Sequence, residues 1–144
     1  MTHLHFFFQD IVSGKRPTTI QIASPNKPYE MGFGALRMAD DPITVGPDRR
    51  SKIVGQAQGL YGFSSQEEFS LLMVMNYVFT NGKYNGSSIA ILGRNPPMQY
   101  VREMPIVGGT GLFRLARGYA LAHTVWSSPQ GDATVEYHVY VYHF

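Results

Sequence analysis

Asp10 is the first side chain whose company makes chemistry conceivable. In the run LHFFFQDIV, strand alternation puts Leu4, Phe6, Phe8, Asp10 and Val12 on one face, and His5, Phe7, Gln9 and Ile11 on the other. If the first face lines an interior, the Asp10 carboxyl is desolvated, its pKa rises, and it is poised as a general acid. If that face points outward, Asp10 merely ends the strand in water. Tyr61 and Phe63, two apart in GLYGF, form an aromatic wall that either stacks on a flat substrate or packs in a core. Arg102 beside Glu103 is a surface pair or a buried cation in need of a partner. Arg117 shares a strand face with Phe113, Leu115 and Tyr119, which asks for a buried partner or a ligand anion.

Other chemistries find no support. The five histidines, 3, 5, 123, 138 and 143, form neither HxxxH nor HExxH, so no metal is expected. His3 and His5 sit near a chain end, and His123 and His138 read as hydrogen-bonded sheet residues. No serine lies in a GxSxG context. The glycines at 108, 109 and 111 are not followed by Lys-Ser/Thr or by a helix, so they shape a sheet corner and do not cradle a phosphate.

The elements that must position these groups read as strands. Alternation and turn chemistry predict strands over 4–12, 18–23, 32–39, 52–63, 69–80, 88–92, 112–125 and 133–144. Asp40-Asp41-Pro42 reads first as a turn, the lesser alternative being that either carboxylate reaches the pocket mouth, and the segment 93–100, with Pro96-Pro97, reads as a loop. Within 52–63, Gly55, Ala57 and Gly59 share a face with Tyr61 and Phe63. Glycines inside a strand imply a barrel bend or a ligand lying on the backbone. Eight strands with short turns and no convincing helix close naturally into an antiparallel barrel or a sandwich. At 144 residues, the whole chain 1–144 reads as one domain.

Composition narrows the class. Only 15% of residues are charged, while nine Phe and nine Tyr supply large internal contacts. A net charge of +2 argues against a nucleic-acid partner. No run of eighteen apolar residues exists, so no helix to span a membrane is expected. The absence of cysteine excludes disulfides and thiolate metal ligation. Asn85-Gly86-Ser87 is a glycosylation sequon, meaningful if the protein is secreted.

Five motifs in series carry a resemblance: FFFQDIVSGKRPT, ADDPIT, VGQAQGLYGFSSQEEFSLLMVMNYVFT, GKYNGSSIAILGRNP and VREMPIVGGTGLFRLARGYA. Together they span nearly the whole chain and resemble the plant dirigent family. The resemblance implies an eight-stranded antiparallel β-barrel of the up-and-down, allene-oxide-cyclase-like or lipocalin-like kind. It further implies a homotrimer, secretion into the apoplast with the signal peptide missing from this chain, and glycosylation at Asn85. It implies a phenolic small-molecule substrate and no cofactor. The family's first-strand aspartate falls on Asp10, its strand tyrosine on Tyr61 and its arginine ahead of the glycine corner on Arg102. Phe8, Phe63, Asn95, Phe113 and Arg117 are the expected substrate-binding residues.

The sequence departs from the family's lignan-forming branch. Gln9 stands where a histidine often precedes the aspartate, Phe63 where a second tyrosine stands, Asn95 where a second acid stands, and Leu112 where GTGDF has aspartate. A single retained acid weakens a two-carboxylate cyclisation. It leans the resemblance toward the branch that includes pterocarpan synthases, which dehydrate an isoflavanol and close its ring through a quinone methide. Three readings stand at this point. One is an enzyme of that lyase type, with Asp10 as acid and Arg102 and Tyr61 steering oxygens. Another is a non-enzymatic protein that steers radicals made by an external oxidase, a laccase or peroxidase. The last is a defence or glycan-binding module without chemistry.

Overall fold

The computed structural model describes residues 1–144 as nine strands joined by tight turns. They are β1 (Thr2–Asp10), β2 (Thr19–Ala23), β3 (Leu36–Thr44), β4 (Ile53–Phe63), β5 (Leu71–Phe79), β6 (Ser88–Asn95), β7 (Arg102–Thr110), β8 (Arg117–Ser127) and β9 (Ala133–Tyr142). Every pairing is antiparallel, in the order β1-β9-β8-β7-β6-β5-β4-β3-β2, and β1 also pairs with β3. That last pairing closes eight strands into a barrel and leaves β2 as an extra strand on its flank. The inner edge of β3 is divided: residues 36–39 pair with β2, while Ile43 and Thr44 pair with Phe8 and Phe7 of β1.

The barrel expected from the sequence is therefore present, with one strand more than the eight read there. Asp40-Asp41-Pro42 is not a turn but the middle of β3. Ala39, Asp41 and Ile43 point inward and are buried, while Asp40 faces out and accepts hydrogen bonds from Gln56 and Gln58 of β4 at 2.9 and 3.1 Å. The turn-forming residue types are overridden by pairing on both sides. β6 likewise runs on to Asn95, past the expected end at Leu92. The segment leading into the glycine corner is itself β7, with Arg102, Met104 and Ile106 buried and Glu103, Pro105 and Val107 exposed. The expected strand 112–125 starts only at Arg117. Residues Gly111–Phe113 form a 3-10 turn, and Leu115 takes a left-handed φ of 64°.

Inward residues fill one half of the barrel completely. Phe6 stacks on Tyr137 at 5.4 Å between ring centres, and Tyr77 donates a hydrogen bond to the Tyr137 hydroxyl at 2.8 Å, so both buried phenols have a partner. Below them Phe79 and Phe113 approach to 5.9 Å, and Tyr84 caps Phe113 at 4.8 Å. The interior glycines of β4 mark a bend: a Cβ on Gly55 or Gly59 would run into the carbonyl of Val78 or Val74 on β5. The backbone presses on its neighbour strand there, not on a ligand. On the outside, the loop 45–52 folds over β1, with Arg49 lying 5.6 Å over the Trp126 ring.

Candidate active site

The other half of the barrel is open. A cavity of about 410 Å³ lies between the ends of β1, β4, β5, β6, β7 and the start of β9. Its walls are apolar, chiefly Phe8, Phe63, Phe69, Leu71, Met73 and Val135, and its polar groups are few: Asp10, Arg37, Tyr61, Asn95, Arg102 and Thr124 prominent among them. This is the general form of a small-molecule site, an apolar concavity with a handful of placed polar atoms. Asp10 and Arg102 thus face one cavity, Asp10 at the inner end of alternation along β1, Arg102 at the first inward position of β7.

Asp10 is not the lone acid the sequence led us to expect. The β1–β3 register pairs Phe7 with Thr44 and Phe8 with Ile43. Continued, it sets Gln9 against Pro42, which has no N–H to extend the ladder, and Asp10 against Asp41. Asp41 is fully buried behind Asp10 and does not reach the cavity wall. The Tyr61 hydroxyl donates to Asp10 Oδ2 at 2.8 Å, whereas Asp10 Oδ1 and both Asp41 oxygens find no donor of good geometry among other residues and are left to each other.

Burial raises both carboxyl pKa values. For Asp10 the rise is countered by hydrogen bonding with Asp41 and Tyr61 and by the Arg37 charge. For Asp41, burial and the neighbouring Asp10 charge act together and push it well above the ordinary range. Two carboxyls in one dry site cannot both ionise cheaply. The pair therefore retains a proton at neutral pH, held by Asp41, while Asp10 accepts from Tyr61. Burial and the Asp10 charge hold the Tyr61 phenol well above its usual value, so it stays a donor.

Arg102 is the opposite pole. It is buried and makes three hydrogen bonds, from Nε to Asn95 Oδ1 at 2.9 Å, from one terminal nitrogen to the Gln99 carbonyl at 3.4 Å and from the other to Thr124 Oγ1 at 3.0 Å. None of these acceptors carries charge. Desolvation lowers its pKa, yet a guanidinium keeps its proton in any protein. The cavity thus holds a fixed cation with no carboxylate beside it. Asn95, where an acid would neutralise Arg102, preserves that charge.

Two expected site residues lie elsewhere. Phe113 is fully buried at the closed end, against Phe79, Tyr84 and His143. Arg117 is exposed and donates to the carbonyls of Val107 and Ala116, both at 2.9 Å. The irregular residues 111–116 break the strand phase that seemed to place them on one inner face. Phe8, Phe63 and Asn95 do line the cavity. Asn85 is exposed just after the 3-10 turn Gly82–Tyr84. Sequence reading put Asp41 in a turn because β3 was cut short at Ala39, and gave no role to Arg37, which lay within the expected strand. Two-residue alternation carried on through ADDPI would have found Asp41. Asp132 also borders the cavity, but it accepts from the Ser13 hydroxyl at 2.6 Å and from the Val12 and Ser13 amides, bonds that lower its pKa. It clips two rim loops together as a carboxylate.

The model of the family described as dirigent-like protein matches residues 1–142. The chain belongs to the dirigent family. Among curated relatives, this dirigent chain is 54% identical to pterocarpan synthase 1 of Glycine max over 99% of its own length and 79% of the relative's. It is 52% identical to dirigent protein 21 of Arabidopsis thaliana, covering 99% of this chain and 77% of that one. The solved structure of a pterocarpan synthase dirigent protein superposes with a TM-score of 0.94 at 52% identity, over 99% of this chain and 95% of that one. The dirigent barrel described here is therefore closely related to pterocarpan synthases and shares their fold.

Proposed function

We propose that the protein is a lyase that removes water from an isoflavanol-like phenol and closes the ring through a quinone methide. The observation that supports this most is that Asp10, backed by the buried carboxyl of Asp41, and an uncompensated Arg102 face the same aromatic cavity. Kinship with proteins named pterocarpan synthases points the same way.

The roles follow from the charges. The carboxyl pair, through Asp10, gives a proton to the departing hydroxyl, which leaves as water. The conjugated phenol passes its proton to solvent water at the open mouth of the cavity, which returns one after ring closure, as it becomes the quinone methide carbonyl. Arg102 stabilises the negative charge gathering on that oxygen, in a site dry enough for a fixed cation to matter. A second phenol of the substrate then attacks the methide carbon. The proton it sheds restores the carboxyl pair, and the quinone methide oxygen takes up a proton to become a phenol again. Atoms balance with one water released. Tyr61 holds Asp10 in place, and the Phe8 and Phe63 rings fix the face from which the ring closes.

The test is incubation with an isoflavanol, following the cyclised product on a chiral column. A rate above buffer with one enantiomer in excess is expected. Asp10→Asn should reduce turnover by about 10²–10⁴-fold, the range of general acid catalysis. No wild-type rate, or full activity in Asp10→Asn, sinks this reading. Should the protein instead bias product handedness only when an oxidase and a monolignol are supplied, it steers radicals and is not a lyase.

A further inference from the structure

The outer surface of the seam between the first and last strands carries a group that the cavity does not use. His5 and His138 are directly opposed across β1 and β9, and Glu136 is opposed to Phe7, one inter-strand step along. The Nε2 atom of His5 lies 2.7 Å from Glu136 Oε2, and His138 Nε2 lies 3.7 Å from the same oxygen. One donor atom from each of the three residues falls within 4.8 Å of the others.

We propose that this face is a binding site for one divalent transition-metal ion of the zinc type, with His5 Nε2, His138 Nε2 and Glu136 Oε2 as ligands. Tetrahedral zinc with nitrogen and oxygen ligands at about 2.0–2.2 Å sets neighbouring donors about 3.3 Å apart. The two nitrogen–oxygen separations, 2.7 and 3.7 Å, bracket that value, and turning the two partly exposed imidazoles toward the carboxylate completes the geometry. Two imidazoles and a carboxylate form an established zinc ligand set and leave the fourth position to solvent.

One feature separates this cluster from an ordinary surface ion pair. His138 is oriented from behind: its Nδ1 lies 3.0 Å from His3 Nε2, a hydrogen bond that fixes the ring and leaves Nε2 free. Metal-binding histidines are held by such a bond on the far nitrogen. The His5 and His138 rings stack at 4.3 Å, 6° from parallel, so both must tilt out of the stack for their Nε2 lone pairs to converge on one ion. The ligands come from opposite ends of the chain, so no local spacing in the sequence betrays them.

The experiment titrates tag-free protein with Zn²⁺ by calorimetry and with Co²⁺ by visible absorption. One ion per chain is expected, with tetrahedral Co²⁺ bands and a rise in Tm with Zn²⁺ but not with Mg²⁺. Since losing even an outer partner of a metal ligand costs about 10–100-fold in affinity, His5→Ala, His138→Ala and the isosteric Glu136→Gln should each weaken binding at least tenfold. His123→Ala, whose ring caps the Tyr100 carbonyl at 2.8 Å, should bind as the wild type does. No binding at millimolar zinc, or unchanged binding when His5 and His138 are both replaced, overturns the proposal.

Discussion

At the scale of single residues, the site is organised by where one proton is kept. Asp41 touches no solvent and has no partner of good geometry, so its charged form is the expensive one. Its pKa is raised in the folded protein. Between the unfolded carboxyl value near 4 and the native value, the folded state binds more protons than the unfolded chain. Stability contributed by this proton is complete below that window and is lost as pH rises through it. Asp41→Asn removes the titration while keeping the shape. It should therefore raise Tm at neutral pH and flatten the fall of stability with pH by up to about 1.4 kcal/mol per pH unit. Urea unfolding at several pH values checks this, and a variant with the wild-type slope would show that Asp41 ionises freely.

At the scale of elements, the strands place the site through their phase. Gly55 and Gly59 let β4 coil against β5, and that coil turns Tyr61 toward Asp10. Gly59→Ala should cost about 1–3 kcal/mol because its methyl meets the Val74 carbonyl. Gly108→Ala, with open space around its Cβ, should stay within about 0.5 kcal/mol. Chemical denaturation of the two variants side by side makes the comparison. Alternation made β1, β4 and β9 legible in the sequence, and with them Asp10 and Tyr61 on inward faces, while β5 was read from its length, its valine and aromatic content and the Asn81-Gly82 turn after it. Where turn-rich composition competed with alternation, it misled: Asp40-Asp41-Pro42 and the glycines after Val107 hid β3 and β7, although Ala39, Asp41, Ile43 and Arg102, Met104, Ile106 keep the two-residue period. Phe113 and Arg117 failed in the opposite way, through a period continued across a left-handed Leu115 that nothing in its residue type announces. Contacts between distant strands, such as Asp10 with Asp41 or His5 with His138, depend on closure and have no local signature.

At the scale of the whole molecule, closure rests on β1 reaching both β9 and β3, and Gln9 is the side chain that spans them. It is fully buried beneath the 45–52 loop. It accepts from Thr134 of β9 at 2.7 Å and donates to Thr44 of β3 and to the Pro47 carbonyl, both at 3.1 Å. Gln9→Leu keeps the bulk but strands the Thr134 hydroxyl and the Pro47 carbonyl. It should cost about 1–3 kcal/mol in urea unfolding, against a near-neutral result if water replaces the lost bonds. The closed end has its own consequence. With Phe6, Tyr77, Tyr137, Phe79 and Phe113 filling the barrel beneath the cavity, the interior is a cup and not a tunnel. Whatever enters must leave by the way it came. Under the proposed reaction, reactant and product would exclude each other at the mouth, and an accumulated product would slow its own formation as a competitor for the same opening.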